Sequence, residues 1–235
     1  WWLGFQDPAL ADLVQRAGSA NTSIQQAAGR LAEARSLLRS ADAARSVQVG
    51  ASAGVTRQAG AATTGSATPA TLGTAGLNVS YELDLFGKLS QTSDAARLDA
   101  DARAALLQST RLMVQADVAQ TYLQLRAAQT ELQLVNESLA AYQDTLRLTQ
   151  RRQQAGDVAE LDVARVQTEV AATESEALAL QRQQALLTNA LAVLVGEVPG
   201  SFALPAAASE AALPVIPPGV PGTVLARRPD VSAAQ

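Results

Sequence analysis

Apolar residues recur along this chain with two different periods, and the points where one gives way to the other divide it into elements. Residues 7–16, DPALADLVQR, place an aspartate before a proline, so a short helix starts with Asp7 as N-cap and Pro8 at its first position. A second helix begins near Asn21 and runs to about Arg45, with Ile24, Ala27, Ala28, Leu31, Ala34 and Leu38 forming one stripe at a spacing close to 3.6. At Val47 the period drops to 2. Val47, Val49, Ala51, Ala53 and Val55 alternate with Gln48, Gly50, Ser52, Gly54 and Thr56, the pattern of a strand with one apolar and one small polar face. Residues 58–76, rich in glycine, threonine and alanine, read as a flexible loop. The return strand is then LNVSYELDLFGKL, where Leu77, Val79, Tyr81, Leu83 and Leu85 alternate with Asn78, Ser80, Glu82 and Asp84.

After Gly87 the chain runs for 68 residues without another glycine or any proline. At 1.5 Å per residue such a helix is roughly 100 Å long. Val118, Thr121, Leu125, Ala128, Leu132, Val135, Leu139, Tyr142, Leu146 and Thr149 step by three and four alternately, which is a coiled-coil seam. A second stripe, Leu112, Ala116, Ala119, Leu123, Ala127 and Leu134, points elsewhere and predicts neighbours on two sides. Gly156 suits a helix C-terminus and Asp157 can cap the helix that follows. That helix runs to Val195 with its own three-four ladder from Val163 to Leu194, so the pair folds back as an antiparallel hairpin with a tight tip at residues 155–159.

Beyond Pro199 the proline content excludes helix and predicts an extended linker. Near the end, Asp230, Val231 and Ala234 repeat Ser23, Ile24 and Ala27 at a constant offset of 207, as if a second copy of the unit began there. The expected division is residues 1–45 as N-terminal helices, 46–86 as two membrane strands with an external loop at 58–76, 87–196 as the helical hairpin, 197–223 as linker, and 224–235 as the start of a second repeat.

Composition narrows the function more than the fold. Aromatics reach only 3 % of a 48 % hydrophobic chain, which favours long helices packed through alanine and leucine. Cysteine and histidine are both absent, which removes thiol chemistry, the commonest metal ligand and the usual neutral-pH base, so neither an enzyme nor a cofactor or metal site is expected. A net charge of −4 with lysine nearly missing argues against nucleic acid as a partner. No apolar run is long enough for a transmembrane helix. The chain opens at WWLGF without the charged region of a signal peptide, so Trp1 reads as a processed or trimmed start.

An isolated two-stranded hairpin is marginal in water, and the rest of the sequence offers no sheet for it to join. About ten residues per strand is, however, what a tilted membrane-spanning strand needs, and other copies must then close the barrel. Glu82 and Asp84 share a strand face with no catalytic partner in view. They read as solvated charges rather than an acid pair.

Several blocks together resemble the TolC-like outer-membrane efflux proteins, most closely the NodT-type lipoprotein branch. They are WWLGFQDPALADL, SYELDLFGKL, DVAQTYLQLRAAQTEL, QQAGDVAELDVARVQTEVA, LTNALAVLVGEVP and LPVIPPGVPGTVLARRPDVSAAQ, in that order along nearly the whole chain. The resemblance implies a mainly α fold with a membrane β-hairpin. It implies a homotrimer with a twelve-stranded barrel in outer-membrane lipid and a helical periplasmic tunnel, this chain holding the first of two repeats and the opening of the second. It also implies an acylated cysteine and a signal peptide upstream. The expected role is a passive efflux channel for drugs, other small molecules or metal ions, working with a periplasmic adaptor and an inner-membrane transporter. Gly156, Asp157, Val158, Ala159, Leu161 and Asp162 would form a hairpin tip facing that partner, Asp157 standing where an apolar residue is expected. On the strands, Gln48, Ser52, Thr56, Asn78, Ser80, Glu82 and Asp84 would face the lumen, and Val47, Val49, Val55, Leu77, Val79, Tyr81, Leu83 and Leu85 lipid. Two alternatives stay open at this point, a periplasmic adaptor with a similar helical hairpin and a soluble coiled-coil interaction protein.

Overall fold

The computed structural model describes residues 1–58, 69–204, 214 and 221–234. A short 3-10 turn at Trp2–Phe5 leads into α1 (Pro8–Ala20) and α2 (Thr22–Ala44), then β1 (Gln48–Gln58) and β2 (Ala70–Ser80), the long α3 (Lys88–Gln154), α4 (Glu160–Leu194) and two short helices, α5 (Pro221–Ala226) and α6 (Pro229–Ala234). The mainly helical fold with one hairpin is the expected class. Its frame is α3, which packs against α2 over its first part and against α4 over its last, with α1 and α6 also resting on it.

The helix starts follow the capping residues, and two caps do more than cap. Asp7 Oδ1 accepts from the amides of Ala9 and Leu10 at 2.8 and 3.2 Å, while its other oxygen accepts from the Tyr122 hydroxyl at 2.5 Å. Asn21 accepts from the amides of Ser23 and Ile24 at 2.9 and 3.3 Å, and its amide nitrogen donates to the Leu194 carbonyl at 2.9 Å. One N-cap thus ties α1 to the middle of α3, and the other ties the α1–α2 joint to the end of α4. Between them lies the core, where Leu10, Leu13, Val14 and Ala17 meet Val118, Tyr122 and Leu125 of α3 and Leu191, Ala192 and Val195 at the end of α4. Each such aliphatic side chain removed from water contributes roughly 1.5–3 kcal/mol.

Tyr122 is 1 % exposed, and burial together with its bond to Asp7 pushes its hydroxyl above the ordinary tyrosine range. Arg126 lies over the Tyr122 ring at 5.0 Å and donates to its oxygen at 3.1 Å. Gly196 closes α4 at φ +74°, and a Cβ there would stand 2.7 Å from the Ala20 carbonyl oxygen, so the position requires glycine for conformation and for space. Arg16 pairs with Asp12 and Glu197 and lies over Phe202, fixing α1 to the chain that leaves α4.

The predicted seam is the α3–α4 contact. Val118, Leu125 and Ala128 are buried, and so are Thr173, Ala177, Leu180 and Leu191 opposite. Tyr142 is the one member of the α3 seam that lies exposed. The second stripe differs from expectation. Ala119 is buried and Leu123 half-buried, whereas Leu112, Ala116, Ala127 and Leu134 lie exposed.

Other expectations are corrected. Asp157 does not cap α4, which starts three residues later at Glu160 with Ala159 at its N-cap position. Its amide instead donates to the Arg152 carbonyl at 2.9 Å and closes α3, while Asp162 accepts from the Ala159 amide at 3.2 Å at the start of α4. The linker expected through residue 223 gives way to helix at Pro221, which is tolerated because a proline opens α5 where no amide donor is needed. Residues 205–213 and 215–220 of that linker lie outside the described residues.

Candidate functional site

The hairpin forms where the period-2 pattern begins, but its limits differ from those read in the sequence. Val47 precedes β1, as the last of the three residues, Arg45, Ser46 and Val47, that link it to α2. β2 starts at Ala70, inside the segment expected to be loop, and ends at Ser80. Residues 59–68 of the expected loop lie outside the described residues. Tyr81, Glu82, Leu83, Asp84 and Leu85 therefore lie beyond the strand. The physical reason is partnership: Ser80 pairs with Gln48, the first residue of β1, and among the described residues none continues the ladder opposite Tyr81. The missed half of β2 carried a usable signal, since an eleven-residue β1 requires a return strand of similar length.

Pairing is antiparallel with partners directly opposite, so paired residues share a face. One face carries Val49 with Val79, Ala51 with Leu77, Ala53 with Ala75 and Val55 with Gly73. The other carries Gln48 with Ser80, Gly50 with Asn78, Ser52 with Gly76 and Gly54 with Thr74. Apolar and polar positions of both strands thus coincide, as the parity of the sequence predicted. The polar face bears no charge over these pairs, and three successive pairs match a glycine with a hydrogen-bonding side chain that fills its Cβ space. The pattern breaks at the far end. Arg57 and Thr71 pair on the apolar face, and Leu72 sits opposite Thr56 on the polar one. Neither face is covered: Val49, Val55, Leu77 and Val79 are 69–82 % exposed.

The hairpin stands on a rigid base. Gln48 donates to the Ala43 carbonyl at 3.1 Å, Ser93 of α3 donates to Asp42, and Gly87 enters α3 at φ +73°. Asp84 is a helix cap: its two oxygens accept from the amides of Leu89 and Ser90 at 3.1 and 2.8 Å. This carboxylate satisfies orphan donors of α3, a role the strand reading missed.

At the opposite end, Gly156 turns the chain at φ +86°, and Leu161 is exposed. Val158 is half-buried, Ala159 and Asp157 are open, and Asp162 is 4.0 Å from Arg165. The six residues expected at the tip are therefore brought together there. Among the described residues no helix is long and apolar enough to cross a membrane, and no acidic cluster could hold a metal ion.

Comparison with known proteins supplies the frame for this geometry. The chain is 32 % identical over 249 residues to the pyoverdine export outer membrane protein OpmQ of Pseudomonas putida, covering 100 % of this chain and 52 % of that one. It is 30 % identical over 239 residues to the toluene efflux pump outer membrane protein TtgF of the same species, covering 100 % and 50 %. Among solved structures, the outer-membrane channel OprN superimposes with a TM-score of 0.84 at 31 % identity, over 100 % of this chain and 54 % of that one. The outer membrane protein VceC of Vibrio cholerae gives 0.81 at 29 %, over 100 % and 57 %. The chain spans about half the length of the curated relatives it matches. Residues 13–197 match the outer membrane efflux protein family, which displaces both the adaptor and the soluble coiled-coil alternatives. This chain, with its uncovered hairpin raised on a frame of long helices, belongs to the outer membrane efflux protein family.

Proposed function

We propose that this chain supplies, in three copies, part of the wall of a passive duct through the outer membrane and periplasm, the exit component of a tripartite efflux pump. The observation that carries the reading is the hairpin, apolar on one face, neutral and polar on the other, exposed on both, and braced on a helical frame. A two-stranded sheet so exposed is marginal in water. Eleven residues span roughly 35 Å. At a tilt of about 40° they project to about 27 Å, close to the apolar band of a membrane barrel. Two strands cannot close a barrel, so further strands must come from other copies or other segments.

In this reading residues 46–86 form the membrane part, 87–196 the tunnel wall, and 1–45 brace it. Val49, Val55, Leu77 and Val79 face lipid, while Gln48, Ser52, Thr56, Asn78 and Ser80 face water in the lumen. Gly156, Asp157, Val158, Ala159, Leu161 and Asp162 meet a periplasmic adaptor or an inner-membrane transporter, which supplies the energy. The cargo is a small molecule or metal ion, as the names of the relatives suggest for theirs.

Val79→Arg in the full-length protein is expected to impair barrel assembly, because an arginine on the lipid face carries a cost that reaches about 2–4 kcal/mol at mid-membrane and falls to about 1 kcal/mol or less toward the interface, where Val79 stands at the base of β2. Ser80→Arg is expected to assemble and to alter conductance in planar bilayers. Equal loss of assembled protein in both variants would overturn the orientation.

A further inference from the structure

Four glycines lie within the strands, Gly50, Gly54, Gly73 and Gly76, and none has the left-handed backbone that would call for glycine. Glycine inside a strand costs stability, so where the backbone does not need it a close neighbour accounts for it. On the polar face such neighbours are present. A Cβ at Gly50 would collide with the Asn78 side chain, one at Gly54 would stand 3.1 Å from Thr74 Oγ1, and one at Gly76 3.2 Å from Ser52 Oγ. The Ser52 and Thr74 hydroxyls donate to the carbonyls of the same two partners, Gly76 and Gly54, at 3.5 and 3.4 Å. Gly73, on the apolar face opposite Val55, has nothing within 4 Å of its Cβ position. Along β1 the polar face therefore runs hole, side chain, hole, and along β2 it runs as the complement.

This alternation distinguishes the observed register from its neighbours. A shift of one residue would turn every side chain to the wrong face, but a shift of two preserves both faces. The apolar face does not choose between such shifts: Ala53 meets Ala75 as observed, and would meet Gly73 or Leu77 after a shift of two either way. The polar face does choose. One shift sets Gly50 against Gly76 and Ser52 against Thr74, and the other sets Gly54 against Gly76 and Ser52 against Asn78. Each leaves a hole facing a hole and a side chain facing a side chain.

We propose that the pairs Gly50 with Asn78, Ser52 with Gly76 and Gly54 with Thr74 are a register code on the water-facing side of the hairpin, and that by setting the stagger of the strands they set the width of the duct. Strand stagger and barrel size are linked once a sheet closes. The step from register to width rests on the proposed placement of the hairpin in a membrane barrel, whereas the code itself does not. The three glycines are positioning residues, acting on passage only through the side chains they admit.

The test uses the full-length protein in lipid vesicles, with Ala53→Cys joined in turn to Ala75→Cys, Gly73→Cys or Leu77→Cys. Disulfide yields are read on total protein, so that a chain failing to assemble is still scored. The pair at 53 and 75 is expected to dominate. Two exchanges then separate the code from its contacts. Gly50→Asn with Asn78→Gly reverses an outer pair and keeps the alternation, so dominance of 53 with 75 is expected to persist. Ser52→Gly with Gly76→Ser also keeps a side chain in every hole, but it puts all the holes on β1 and all the side chains on β2, where any even shift fits. The share of 53 with 75 is expected to fall about two- to fivefold, the range of one cross-strand pair. Native dominance that survives both exchanges, or is lost in both, overturns the code. In planar bilayers the central exchange is expected to show more than one conductance level and the outer exchange a single one. One and the same level in both overturns the step to width. Disulfides as expected, with no conductance even in the unexchanged protein, would overturn the membrane reading and leave the code standing.

Discussion

The helical core and the β-hairpin are built from similar residues by opposite rules. In the core, α1 lies between α3 and the end of α4, and its buried face, Leu10, Leu13, Val14 and Ala17, is at most 3 % exposed. In the hairpin, the equally apolar Val49, Leu77 and Val79 are at least 69 % exposed, although every position of β1 has its backbone partner. The difference teaches that hydrogen bonding and burial are separate requirements. The core meets both within one chain, whereas the hairpin meets the first alone and needs an apolar surrounding from outside to meet the second.

The contrast can be broken by substitutions, read as unfolding of the helices in the full-length protein by circular dichroism. Leu191→Ala strikes the core where exposure is 0 %, and a loss of about 2–5 kcal/mol is expected from the lost transfer energy and the cavity. Asp7→Ala removes a cap and at once takes the acceptor from the buried Tyr122 hydroxyl proton, with an expected loss of about 1–3 kcal/mol; Asp7→Asn, which can still accept from both amides, should recover part of it. Asn21→Ala should cost about 1–2 kcal/mol for the same double reason, and a loss no greater than that of an ordinary exposed cap would show that the bond to Leu194 adds nothing.

A smaller effect depends on pH. The Tyr122 pKa is raised in the folded state, so its contribution is fully present below the unfolded tyrosine value near 10 and fades as pH rises through the folded one. In an absorbance titration of phenolate, Tyr122→Phe should remove the most alkaline ionising fraction and no other. At the bottom of the scale, Leu77→Ala should change helix unfolding by less than about 0.5 kcal/mol despite deleting a large apolar side chain. A loss like that of Leu191→Ala would mean that part of the helical frame covers the hairpin and that the two regions are one.

Local signals were the legible ones. Asp7, Pro8, Asn21 and Gly156 act within one helical turn of themselves, and they alone placed three helix ends, the starts of α1 and α2 and the end of α3. The α3 seam was legible too, because a repeat sustained over ten positions leaves little choice of face. What escaped was partnership across distance. Nothing around Asp7 announces Tyr122, and nothing around Asn21 announces the end of α4. The limits of β2 escaped for the same reason. Alternation continues past Ser80 to Leu85, but strand needs a partner and β1 stops opposite Ser80. The threonine and glycine residues of 70–76 look like loop in isolation and become strand because β1 lies across from them. At the candidate site, face parity was therefore readable, while the role of Asp84 as a helix cap was not.

The unbroken length of α3 carries a mechanical consequence. One helix of 67 residues joins the base of the hairpin to the Gly156 turn, stiffened by α2 near one end and α4 near the other. A rod roughly 100 Å long that tilts by about 1° at its hairpin end sweeps its far end through roughly 2 Å. That is enough to break a hydrogen bond at the tip. The helix is thus a lever, and whatever grips the tip holds the long arm.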